Sequence, residues 1–166
     1  MRAGDSPIFR GLDAAQVDAL VAEGTVRELA PGELLIERGS HGAELYFLIE
    51  GRLHVWVTEG GKERGLADLA APAVVGEMEF LTGQERVASV RAAERAKVLA
   101  LPFARLRARI EAGDPACLRV MFNIATVIAD RLGKTVQMLG EVGATSAPHA
   151  EELAEFRRKL FSDWSL

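Results

Sequence analysis

Gly76, Glu77 and Arg86 are the residues of this chain whose types and spacing could do chemistry, and they fall in one stretch, GEMEFLTGQERVASVRA, from Gly76 to Ala92. A glycine ahead of a helical turn lets backbone N–H groups come close to a ligand, and the start of the turn favours an anion. Glu77 stands at that start, where a free carboxylate would compete with an anion. It fits there if it accepts hydrogen bonds from hydroxyl groups. Arg86 opens the next strand and offers a planar, charge-assisted fork suited to a phosphate. Ala88 is small and leaves room beside it. Met78, Phe80 and Leu81 are expected to pin the turn to the body of the domain, and Gly83 to close it. A buried charge is costly unless something pairs with it. Either Glu77 and Arg86 satisfy each other, or both hold a ligand that carries sugar hydroxyls and an anion.

The elements that must position these residues are readable on both sides. In FRGLDAAQVDALVAEG, Asp13 is placed as an N-cap, Val17, Leu20 and Val21 share one helical face, and Gly24 reads as a stop. From Thr25 to Pro102 the period changes. Short apolar runs such as ELLIERG, AELYFLIEG and KVLALP recur between glycines and prolines, which predicts a sandwich or small barrel. RLHVWV alternates, with Leu53, Val55 and Val57 inward and His54 and Trp56 on the other face. Gly60-Gly61 then makes a hairpin turn. PFARLRARIEAG is a short helix ending at Gly113. Asp114-Pro115 starts a long one, acid as N-cap and proline first, expected to run to about Leu139. Along it Leu118, Met121, Ala125, Ile128, Leu132, Thr135 and Leu139 step by three and four, either the seam of a homodimer or the cover of the β core. The segment 141–166 reads as a linker followed by a short amphipathic tail helix, EELAEFRRKLFSDW.

Composition narrows the function classes. The chain has 166 residues, a formal net charge of -4 and 49% hydrophobic residues, which is one globular domain with a tail. No apolar run approaches the roughly 20 residues that span a bilayer, and the N-terminus lacks the apolar core of a secretory signal. The lone Cys117 excludes an internal disulfide framework and fits the cytoplasm. The acidic balance argues against nucleic acid as a partner, and the 26 residues after Gly140 are too few for a DNA-reading domain. Catalysis is not expected. His41, His54 and His149 do not make the metal cluster of a barrel enzyme, and neither a catalytic triad nor a P-loop is present.

The stretch resembles the phosphate-binding cassette of cyclic-nucleotide-binding domains, as found in catabolite activator proteins and protein kinase A regulatory subunits. The motif residues are Gly76, Glu77 and Met78, then Arg86, Ala88, Ser89 and Val90. PGELLIERGSHGAELYFLIEGRLHVW resembles the family's opening strands, with Gly32, Gly39, Gly42, Tyr46 and Gly51 at turns and core positions. IADRLGKTVQML resembles its closing, dimerising helix. The likeness covers about Phe9 to Gly140 and implies an α+β fold: a double-stranded β-helix (jelly-roll) barrel with an N-terminal helix and a long C-terminal one. The domain is expected to occupy 1–140, with the closing helix at about 114–139. The resemblance further implies that Glu77 binds the ribose 2′-hydroxyl and Arg86 a phosphate oxygen, with backbone N–H groups of Glu77, Val87 and Ala88 around the anion. Thr135 stands where a threonine reaches the adenine amino group, or is an ordinary polar residue of the seam.

Three positions depart from the pattern. Val87 lacks the hydroxyl often found after the arginine, which leans toward cyclic AMP over cyclic GMP. Glu79 stands where Ala or Gly is usual, and a carboxylate within about 6 Å of a phosphate weakens binding unless it faces solvent or pairs with a cation. Pro72 replaces a glycine in the hairpin before Gly76. The expected function is a cyclic-nucleotide sensor, homodimeric, with cyclic AMP or cyclic GMP as ligand, no cofactor and an effector protein as partner. The alternative is a module of the same fold that binds no ligand and serves assembly or docking.

Overall fold

The computed structural model describes residues 6–145; the tail helix expected at 151–164 lies outside them. A 3-10 turn at Pro7–Phe9 leads to α1, Ala14–Val21. Asp13 starts that helix as expected: its carboxylate accepts from Gln16 N at 2.8 Å, and the Gln16 side chain accepts from Asp13 N at 3.0 Å, a capping box. Val17 and Leu20 form its buried face. Gly24 follows for a reason other than the expected stop. A Cβ there would lie 2.7 Å from the carbonyl oxygen of Ala100, so the strand passing over it admits only glycine.

Eight strands follow: β1 Thr25–Leu29, β2 Leu34–Ile36, β3 Glu44–Glu50, β4 Arg52–Glu59, β5 Lys62–Ala70, β6 Ala73–Val75, β7 Ser89–Ala92 and β8 Ala96–Pro102. They form two antiparallel four-stranded sheets, ordered β1-β8-β3-β6 and β2-β7-β4-β5. This is the α+β jelly roll. Leu29, Ile36, Leu48, Leu53, Val75, Val90 and Val98 pack between the sheets. In β4 the alternation holds at Leu53, which is buried, and at Val55, packed beside it, while Val57, also expected inward, is half-buried and outside the core cluster; His54 and Trp56 stack with ring centroids 6.0 Å apart. The β4–β5 hairpin turns on Gly60 and Gly61, whose φ angles of 57° and 77° are left-handed, as its tight turn requires.

Helix α2 (Glu77–Thr82) lies between β6 and β7, and α3 (Phe103–Glu111) follows β8. The long helix α4, Pro115–Thr145, starts as expected, with the Asp114 carboxylate accepting from Ala116 N at 2.8 Å and Cys117 N at 3.3 Å. It continues past the expected end at Leu139, through Gly140 and Gly143; a helix tolerates glycine at about 1 kcal/mol relative to alanine. No described helix is long and apolar enough to cross a membrane.

The chain divides into two units, one reaching to Ala125 and one starting at Thr126. In the first, α4 buries Ala116, Cys117, Val120, Asn123 and Ile124. Asn123 Nδ2 donates to the carbonyls of Ile8 at 2.8 Å and Arg10 at 2.9 Å, which fixes the amino-terminal turn to the helix. Burial pushes the Cys117 thiol up, so it behaves as a small apolar group. The expected seam is a different face. Leu118 is 47% exposed and Ala125 exposed, so neither covers the β core, while Met121 is half-buried. In the second unit Ile128 is half-buried and Leu132 exposed.

Candidate functional site

Helix α2 is bracketed by two glycines with left-handed backbones, Gly76 at φ 88° and Gly83 at φ 70°, and the Gly83 N–H closes it on the carbonyl of Glu79 at 2.8 Å. A helix of six residues cannot bury every apolar side chain it carries. Phe80 alone pins it inward, its ring 5.1 Å from that of Phe103. Met78 and Leu81, expected to help, are 39% and 41% exposed. They are three residues apart and share the outward face. Glu77 and Glu79 are both buried.

Arg86 is held by its backbone first. Its N–H donates to Ser40 O at 2.9 Å and its carbonyl accepts from Gly39 N at 2.8 Å, which stitches the strand entry to the loop before β3. Its side chain then turns inward and is only 4% exposed. The guanidinium carbon lies 5.5 Å from the Phe103 ring centroid and 6.0 Å from that of Tyr46. Two glycines make the slot for it: a Cβ on Gly76 would collide with Nη1, and one on Gly42 with Nη2. Nη2 donates to the Glu44 carbonyl at 2.8 Å. Nη1 has no hydrogen-bond partner among the described residues.

The ion pair of Arg86 is with Glu79, whose Oε2 lies 2.6 Å from Nε. The other oxygen, Oε1, accepts from Gly42 N at 2.8 Å and lies 3.3 Å from His41 Nδ1. Of the two ways Glu79 could avoid harm to an anion site, the structure has the second, a cation partner. Tyr46 lies beneath, its hydroxyl donating to the Glu44 carboxylate at 3.1 Å; burial first, and the Glu44 charge second, raise its phenol above the ordinary value and keep it protonated.

The remaining residues read from the sequence lie close by in the chain. Val87 is 53% exposed. Ala88 and Ser89 are half-buried, and the Ser89 hydroxyl accepts from Arg38 N at 3.0 Å. An open groove of about 570 Å³, lined by Arg38, Gly39, His41, Gln84, Glu85, Arg86 and Val87, borders the arginine on this side; its size is within the range of small-molecule sites. Thr135 belongs to the second unit, where its hydroxyl donates to the carbonyl of Arg131 at 3.0 Å. The sequence reading missed the roles of Gly42 and His41. No sequence signal marks these roles, since the backbone decides whether a glycine serves a turn or a close approach, and Gly42 lies outside the left-handed region.

The model of the cyclic nucleotide-binding domain matches residues 26–112, from β1 through α3. This chain belongs to that family. The matched span contains every site residue expected from the sequence except Thr135. Among curated relatives, a cyclic AMP receptor protein of Thermus thermophilus is 36% identical over 97 residues, 58% of this chain and 45% of the relative. Glutaminase 1 of Bradyrhizobium diazoefficiens is 33% identical over 128 residues, 77% of this chain but 20% of the relative. The chain thus spans less than half the length of either. Among solved structures, the catabolite activator protein of Thermus thermophilus superposes with a TM-score of 0.72 at 32% identity, covering 82% of this chain and 63% of that one. In a cyclic nucleotide-binding domain the two buried carboxylates and the inward arginine have a common setting: all three lie on or beside the turn between β6 and β7.

Proposed function

We propose that this domain binds a cyclic nucleotide, cyclic AMP in preference to cyclic GMP, and acts as a regulatory module and not as an enzyme. The observation that carries the reading is Arg86 Nη1, a charged donor inside the domain that makes no hydrogen bond among the described residues. A buried donor left in that state costs the full desolvation of the group, and a phosphate oxygen would relieve it with a charge-assisted bond. Gly76, against which Nη1 lies, leaves the approach clear of a side chain.

The roles follow from that seat. Glu77, buried at the first position of α2, accepts from the ribose 2′-hydroxyl. Arg86 takes the phosphate, with the backbone N–H groups of Glu77, Val87 and Ala88 around it. Met78 and Ser89 flank the seat, and Val87, lacking a hydroxyl, favours cyclic AMP. Thr135 serves the adenine amino group. The exposed positions Leu118 and Leu132 form a homodimer seam, through which ligand-induced change reaches an effector protein in the cytoplasm by shifting a two-state population. One observation favours a second reading, a module that serves assembly only: Nε of Arg86 already has a carboxylate partner in Glu79.

Calorimetry of cyclic AMP and cyclic GMP with the purified protein, beside Arg86→Ala and Glu77→Ala, separates the two. Saturable cyclic AMP binding that is lost in Arg86→Ala and weakened in Glu77→Ala supports the sensor. No heat with either nucleotide, from a protein with a normal melting transition, sinks it and leaves the assembly module.

A further inference from the structure

We infer that Glu79 is a resident anion in the phosphate seat, and that it sets the affinity of the domain by having to be displaced. The inference rests on the reading of the site as a cyclic-nucleotide site. Three groups converge on this one carboxylate: Arg86 Nε at 2.6 Å, the Gly42 N–H at 2.8 Å and the His41 imidazole at 3.3 Å. A guanidinium edge, a backbone amide and an imidazole are what an incoming phosphate would use. The carboxylate is 5% exposed, so solvent does little to screen it.

The state of the guanidinium decides between a competitor and a support. A bidentate grip on phosphate needs two parallel N–H groups. One N–H of Nη2 goes to the Glu44 carbonyl and Nε is ion-paired with Glu79 Oε2, while Nη1 has no hydrogen-bond partner among the described residues. The parallel pair that includes Nε is Nε with Nη2, and Glu79 fills its Nε half, so this fork opens to an incoming anion only when Glu79 releases Nε, while Nη1 offers a separate single donor. A cyclic phosphodiester entering while Glu79 stays would also place two negative charges side by side beside a single arginine. Binding is therefore an exchange in which the phosphate takes Nε and the Glu79 carboxylate moves with the His41–Gly42 loop. His41 is 65% exposed, so the loop side of the carboxylate borders water.

The test measures cyclic AMP affinity by calorimetry, with melting curves, for the wild type, Glu79→Ala, Glu79→Gln and Arg86→Ala. Glu79→Gln is isosteric and keeps an acceptor for the Gly42 N–H, so it guards against a loss of fold in the alanine variant. Removal of the charge is expected to tighten binding by at least roughly tenfold in both Glu79 variants, with no binding by Arg86→Ala. Equal or weaker binding by folded Glu79→Gln overturns the inference and makes Glu79 a support for Arg86, while wild-type binding leaves the cyclic-nucleotide reading standing. Absence of binding in all four proteins, including the folded Glu79 variants, removes that reading and the inference with it.

Discussion

Arg91 and Arg86 lie five residues apart, and each meets a glutamate, but the two pairs differ in completeness. On the outer face of the β2-β7-β4-β5 sheet, Arg91 grips Glu63 with both ends of its fork, at 2.8 Å and 2.6 Å, and lies 4.5 Å over the Trp56 ring. His54 adds a contact to Glu63 at 3.4 Å and one to Asp68 at 2.7 Å. Every part of that cluster faces another part of it or water. Arg86 is closed away from water and still lacks a partner at Nη1. A pair that is complete and exposed trims the surface of a sheet. A pair that is incomplete and buried bears a cost that only another molecule or a rearrangement can offset.

The comparison breaks or sharpens first at Arg86. Arg86→Ala leaves the Glu79 carboxylate buried without its cation, and unfolding in urea should show a loss of about 3–5 kcal/mol. A loss under about 1 kcal/mol would mean that Glu79 escapes to solvent and that the pair behaves like a surface one. Gly42→Ala is expected to come next. Gly42 does not have a left-handed backbone, so the substitution acts only through the collision of its Cβ with Nη2. Displacing the guanidinium should weaken cyclic AMP binding by roughly tenfold in a titration; unchanged affinity would show that the slot is wider than it looks. Arg91→Ala should do least. Nucleotide affinity should be unaffected, and a small drop in melting temperature should fade with added salt.

Acid sharpens the same contrast. The Arg91 fork holds the Glu63 carboxyl below its ordinary value, and the Arg109 guanidinium does the same for Asp114. Groups with depressed values contribute stability that is present above their unfolded range and is lost as pH falls through the folded one. Stability should therefore decline below about pH 4, and Arg91→Ala should flatten part of that decline in melting curves taken across the acid range. An unchanged acid limb would mean that the Glu63 fork does not persist in solution.

Where one residue type suits one local geometry, the sequence was legible. Asp13, Gly60-Gly61 and Asp114-Pro115 each name a cap or a turn without reference to the rest of the molecule. The alternation in RLHVWV stood at Leu53 and Val55, because period two assigns faces before any partner is known. What could not be read were choices among equals. Both Glu77 and Glu79 are within a turn of each other, and only the path of α2 brings Glu79 to Arg86 Nε. The first turns of α4 carry apolar residues on two faces, and periodicity alone could not say that Ala116, Cys117, Val120 and Ile124 would be the covered set. Met78 and Leu81 failed similarly, since hydrophobicity marks a candidate for burial and a six-residue helix has room for few.

The link from Asn123 to the carbonyls of Ile8 and Arg10 has a consequence for the order of events at the ribosome. The bonded partners are 115 and 113 residues apart in the chain. At the usual pace of translation the amino-terminal turn waits on the order of ten seconds for the amide that will hold it. Through that interval the Ile8 and Arg10 carbonyls lack the amide that will hold them, although Phe9 has its stacking partner Phe47 much earlier in the chain.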